Sequence, residues 1–169
     1  MSEQVEALPA QAIASDSRTT ISWRDYLELT KPRVVALMIL TSVIGMLLAA
    51  PGVPGWGVLV WGNLGIALLA GAAAVVNHVV DQKIDTVMAR TRKRPVATGK
   101  ISPVDAILFA TILACVGMAV LMWQGNHLTA WLTLASLVGY AGVYTLFLKR
   151  ATPQNITIGG LAGAMPPLL

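Results

Sequence analysis

The chain has 169 residues, of which 56% are hydrophobic and only 12% charged, with a net charge of +4. Its apolar residues come in uninterrupted runs, which excludes an ordinary soluble domain, because a helix apolar on every side needs lipid or the centre of a far larger core. One cysteine, Cys115, excludes an internal disulfide framework or thiolate metal site, and within an apolar run it reads as a small core residue.

Residues 1–21 set Glu3, Glu6 and Asp16 against Arg18 without apolar periodicity and read as a mobile tail. They are too acidic for an organellar transit peptide, and the first apolar run begins only after Arg33, too late for a secretory signal. Ser22-Trp-Arg-Asp25 has capping-box spacing and predicts a short interfacial helix carrying Trp23, Tyr26, Leu27 and Leu29. Thr30-Lys31-Pro32-Arg33 restarts the helix, with Thr30 as its cap and Pro32 early in the first turn.

Span one then runs over about 34–50, followed by a Pro51 to Trp56 turn with an interfacial tryptophan. Span two covers about 57–80, where Gly62, Gly65, Gly71 and the Ala72 to Ala74 run offer a narrow packing face. A long charged loop reaches Lys100, and Ser102-Pro103-Val104-Asp105 carries the cap, proline and first-turn acid of a third span over about 104–123. After Gln124-Gly-Asn-His127, with His127 an exposed turn residue, span four covers about 128–148. A fifth apolar segment, 156–169, is too short to cross unaided. Met118 and Met122 read as lipid contacts, and Trp123 and Trp131 as interfacial anchors. The fold predicted is an all-α, polytopic transmembrane bundle of four full spans plus a truncated fifth, forming one domain over 22–169.

All twelve basic residues lie in the tail and first helix start, in the long loop, or at Lys149-Arg150. By the positive-inside rule those segments, and the N-terminus, are cytoplasmic. Taken alone, the Arg90 to Arg94 cluster fits nucleic acid, but against a hydrophobic span it sets orientation and meets anionic headgroups of the lipid bilayer, so no nucleic-acid partner is expected.

The chemistry gathers in Asn77-His-Val-Val-Asp81-Gln-Lys-Ile-Asp85 and the following Met88-Ala-Arg90-Thr-Arg92-Lys93-Arg94-Pro95. If span two stays helical, Asn77, Asp81 and Asp85 share one face with about 6 Å of rise between neighbours. An all-oxygen set with two carboxylates suits a hard cation such as Mg²⁺ that takes further ligands from a phosphate. Arg90 and Arg94, four apart, suit the rest of a polyphosphate. The plainer alternative is that Asp81 and Asp85 pair with Lys83 or Arg90 as loop acids while the arginines only set topology. Polar groups at membrane depth favour the functional reading.

Asn-x-x-x-Asp-x-x-x-Asp followed by Met-x-Arg-Thr-x-x-Arg-Pro closely resembles the first aspartate-rich motif of the intramembrane prenyltransferase superfamily. Leu29-Thr-Lys-Pro-Arg33, Thr152-Pro-Gln-Asn-Ile156 and Gly159 to Pro167 resemble its protohaem IX farnesyltransferase branch, and the resemblance covers about residues 22–169. It implies a multi-pass enzyme of the bacterial inner membrane, with about nine helices and a cavity open to the cytoplasmic side. Mg²⁺ and farnesyl diphosphate would be held by two acidic motifs, and the allylic cation would alkylate a vinyl group of protohaem IX to give haem O. Haem A synthase is an implied partner. Carried over, Asn77, Asp81 and Asp85 form the first metal motif, and Arg90 and Arg94 steady the diphosphate. Lys31 and Arg33 stand at the cavity mouth, and Tyr144 and Lys149 are further substrate contacts, although they are five apart where relatives have a spacing of four.

His78 stands where many members have an aspartate. It approaches haem iron or lines the cavity, and lining is the reading adopted because a neighbour of Asn77 is rotated by about 100° from its face. No acid follows Asp105, so the chain reads as the N-terminal part of the enzyme with half of the metal site, inactive alone. Two alternatives stay open: a prenyltransferase acting on aromatic or quinone precursors, and a small cation-coupled transporter, for which the midplane site and paired interruptions are not found.

Overall fold

The computed structural model describes residues 21–124, 127–142, 160 and 164–168, and these form helices and turns with no strand among them. Helix α1, Trp23–Leu29, starts in the expected capping box, with the Asp25 carboxylate accepting the Ser22 N–H at 2.7 Å. It is too short to stand alone and is held by packing: Leu29 is fully buried, and Tyr26 meets the Phe109 ring edge-on at 5.1 Å between centroids. Trp23 and Leu27 remain exposed, as an interfacial helix requires.

Thr30 does not cap the next helix. It ends α1, its hydroxyl donating back to the Leu27 carbonyl at 2.8 Å. The cap position of α2, Pro32–Ala49, falls to Lys31, which adopts the left-handed conformation with φ 52 and ψ 63. The physical reason is Pro32, whose ring crowds the preceding residue out of the right-handed helical region and prevents α1 from running straight into α2. Proline itself sits in the first turn, where its missing N–H costs nothing.

A π-helical turn, Val58–Gly62, leads into α3, Asn63–Val80, and a short α4, Gln82–Asp85, continues it. Helix α5, Pro103–Trp123, starts at Ser102, whose hydroxyl accepts the Asp105 N–H at 3.1 Å, and α6 covers His127–Val138. Three of these segments, Pro32–Ala49, Val58–Val80 and Pro103–Trp123, are long and apolar enough to cross a membrane. Expected and observed ends agree to within two residues for these three. Residues 1–20, the later part of span four and most of the fifth segment lie outside the described residues.

Helix α3 is the centre of the bundle, buried along its length between α5, α2 and α6, whereas α2 buries only Ser42 and turns its aliphatic side chains outward. Its closest approach is to α5. A Cβ on Gly65 would lie 2.5 Å from Leu121 Cγ, and one on Gly117 would lie 3.0 Å from the Gly65 carbonyl oxygen, so the backbones meet where neither carries a side chain. Two apolar clusters flank that crossing. Near the charged loop, Leu29, Ala72, Val75, Val96, Ile101 and Ala106 pack together; near the other end, Leu69, Leu121 and Ala130 do so.

The second cluster corrects the reading of Met118 and Met122, which pack against it as flexible core fillers. Cys115 is also corrected: it is exposed, whereas Gly117, two residues on, is buried against α3. An uninterrupted apolar run hides which face is inward, and only the Gly65–Gly117 crossing settles it.

Candidate functional site

The Asp81 N–H donates to the Asn77 carbonyl at 3.0 Å, and the Asp85 N–H donates to the Asp81 carbonyl at 2.8 Å. Successive i to i+4 bonds therefore carry one helical face from α3 through the joint into α4, and Asn77, Asp81 and Asp85 are stacked on it as the spacing predicts. They are only 5%, 3% and 3% exposed. Buried carboxylates are costly without compensating donors or cations, and both kinds of partner are present.

Asp85 is held by Arg94, whose guanidinium donates to its carboxylate at 2.6 Å. The charged loop is wrapped so as to deliver that arginine. Gln82 Nε2 donates to the Val96 carbonyl at 3.1 Å, the Thr91 hydroxyl donates to the Asp85 carbonyl at 3.3 Å, and Val96 and Ile101 are fully buried beneath. The loop runs as successive turns, with the Arg94 N–H on the Thr91 carbonyl, and not as a helix. Arg90 and Arg94 therefore do not form an i, i+4 pair. Arg90, Arg92, Lys93 and Lys83 are exposed, and neither Lys83 nor Arg90 but Arg94 neutralises Asp85.

On the other flank stands Lys31. With the Asn77 amide oriented to satisfy both its groups, Nδ2 donates to Asp81 Oδ2 at 3.2 Å and Oδ1 accepts from Lys31 Nζ at 2.9 Å. Arg33, close by in the chain, is exposed. His78 is 3% exposed, and neither ring nitrogen has a hydrogen-bond partner among the described residues. The charged groups around it are Lys31, Arg94, Asp85 and Asp81. Measured from Asn77 it is rotated away, but Asp81 and Asp85 lie three and seven residues on, which returns them to its side of the helix. Tyr144 and Lys149 lie outside the described residues.

A cavity of about 460 Å³ opens below this face, between α2, α3 and α6. Ala73 and Ala74, one turn before Asn77 and His78, line it together with Met38, Leu137 and Tyr140, and Lys31 borders it at the head of α2. A larger groove of about 660 Å³, between α1, α2, α3 and α5, is lined by Tyr26, Val35, Ile39 and Phe109 and carries no charged group.

Among the described residues no three His, Cys, Asp or Glu side chains gather as a metal site. The donor set at hand is Asp81 and Asp85 with the Asn77 amide, all oxygen, which fits a hard divalent cation that takes its other ligands elsewhere. Outside the spans, Lys100 donates to Asp25 at 2.9 Å and ties the end of the loop to α1. That hydrogen bond, aided by the Ser22 N–H, holds the Asp25 carboxyl below its ordinary range. Sequence reasoning missed this pair, Gln82 and Thr91. The only signal for the latter two was their place inside the Asn77 to Pro95 motif.

The UbiA prenyltransferase family matches residues 38–169. A protoheme IX farnesyltransferase of Marinobacter nauticus is 84% identical over 165 residues, covering 98% of this chain and 54% of that protein. Those of Saccharophagus degradans and Hahella chejuensis are 71% and 69% identical over 147 residues, each covering 87% of this chain and 48% and 49% of those proteins. The chain thus spans about half the length of the curated relatives it matches. No solved structure matches it. With the aspartate-bearing face inside the matched region, the chain belongs to the UbiA prenyltransferase family.

Proposed function

We propose that the chain is part of a protohaem IX farnesyltransferase, which joins farnesyl diphosphate to protohaem to give haem O. The observation that carries this reading is the stacked Asn77–Asp81–Asp85 face directly above an apolar cavity, and the names of relatives up to 84% identical support it. Family membership sets the transporter reading aside.

Asp81 and Asp85, with Asn77, would hold Mg²⁺, which when bound offsets the charge developing on the departing diphosphate. Arg94 lies beside Asp85, within reach of a diphosphate engaged there, and exposed Arg90 supplies further positive charge at the entrance. The cavity between α2, α3 and α6 accepts the farnesyl chain by apolar burial and keeps water from the allylic cation. His78, buried beside Asp81 and Asp85, would meet the haem from the same helix. The charged loop faces the cytoplasm of a bacterium, within its inner membrane, and haem A synthase takes the product.

The test is Mg²⁺-dependent haem O formation by the full-length gene product, with Asp81→Asn and Asp85→Asn. Each substitution is expected to lower turnover by about a hundredfold or more, the scale of losing a charge-stabilising group. Undiminished haem O formation in both rejects the metal assignment.

A further inference from the structure

Helix α2 separates two recesses. Pro32, Ala36 and Ile39, three to four residues apart, face the groove of about 660 Å³ shared with α1, α3 and α5. Val34, Met38 and Thr41 face the cavity of about 460 Å³ beneath Asn77, and Val35 stands between the two. On α3 the division repeats, with Ala67 and Leu68 on the groove side and Ala70, Ala73 and Ala74 on the cavity side. The groove is therefore a separate feature from the cavity assigned to the reaction.

Its mouth has a different chemistry from its floor. A recess of about 650 Å³ between α1 and the head of α2 shares Trp23, Leu27 and Pro32 with the groove and adds Arg24, Glu28 and Arg33. All three charged side chains are exposed, and the Arg24 guanidinium lies 5.9 Å from the Trp23 ring centroid. Lys31 also borders the recess, but its ammonium reaches Asn77 Oδ1 at 2.9 Å. Two arginines against one carboxylate leave positive charge beside an exposed tryptophan, which belongs at the headgroup level. Below them, Ile39 is the last groove residue of α2 and lies about 9 Å along the helix from Arg33, within one leaflet of roughly 15 Å.

A cationic rim over an apolar slot of that depth has the shape and polarity of a phospholipid site, with the headgroup at the rim and a chain below. The positive excess selects a headgroup whose phosphate carries no cation of its own, because a choline ammonium would meet the arginines with like charge. We propose that the groove between α1, α2, α3 and α5 binds an anionic glycerophospholipid, with its phosphate on Arg24 and Arg33 and an acyl chain along Ala36, Ile39 and Phe109. The site is independent of the metal and diphosphate reading. Its occupancy braces α1, whose Asp25 holds Lys100 at the end of the charged loop.

The test follows lipid retention by native mass spectrometry of the full-length gene product in detergent, titrated with phosphatidylglycerol or phosphatidylcholine. Arg24→Gln with Arg33→Gln is expected to weaken phosphatidylglycerol binding on the order of tenfold and to remove its preference over phosphatidylcholine, the scale of two basic side chains at an anionic surface. Arg92→Gln with Lys93→Gln removes as much exposed charge outside the groove and should change neither. Ala36→Trp, at an exposed position, fills the groove and should weaken both lipids severalfold with the arginines intact. Equal losses in the two charge-removed proteins would reduce the effect to general surface charge and overturn the proposal. Unchanged binding by Ala36→Trp would overturn the groove as the seat of the chain, and displacement of the lipid by farnesyl diphosphate would overturn the choice of occupant.

Discussion

Asp85 owes its place to a residue nine positions away. Arg94 reaches it only because the loop is pinned through Gln82, Thr91 and two buried aliphatic side chains. Arg94→Ala leaves a nearly buried carboxylate without its guanidinium, and a loss of about 2 kcal/mol of stability is expected, measured by thermal denaturation in detergent. The acids and Asn77 were legible in the sequence because their four-residue spacing needs only a continuous helix. Which arginine faces them was not, because turns have no period from which to read a direction. His78 shows the same limit within a helix: its angle to Asn77 was right, but its relation to Asp81 and Asp85 needed the whole face.

At the scale of elements, the Gly65–Gly117 crossing sets how closely α3 and α5 approach. Gly117→Val is expected to cost about 1–3 kcal/mol through forced separation of the two backbones, seen as a lower melting temperature. Gly57→Ala, whose added Cβ would meet only Gln124 Oε1 at 3.8 Å, should leave it unchanged. Spans and caps were readable from apolar length and from Ser-x-x-Asp spacing, both local signals. Thr30 was misplaced as a cap because its hydroxyl had two helix ends to serve, and the proline two residues on decided between them.

For the molecule as a whole, the Asp25–Lys100 pair fastens α1 to the end of the charged loop and so braces the wrapping that presents Arg94. The Asp25 carboxyl is held below its ordinary value of 3.8, chiefly by Lys100. A depressed acid stabilises the folded state above its unfolded value and loses that contribution as pH falls through the lowered one. The protection of the α1 amides against hydrogen exchange, corrected for the intrinsic rate, should therefore be constant above about pH 4 and fall below it, whereas Asp25→Asn should lower it above about pH 4 and remove the acid fall.

The sequence by itself determined a membrane-embedded helical chain, the boundaries of its first three spans and an acidic helical face, because length, hydropathy and four-residue spacing are local properties. Only the tertiary structure decided which cations meet those acids, that Cys115 faces outward while Met118 and Met122 pack inward, and that Lys31 bends left-handed beside Asn77. Those outcomes depend on how separate helices and a turn-built loop pack against α3, and no local pattern in an almost uniformly apolar chain encodes that packing.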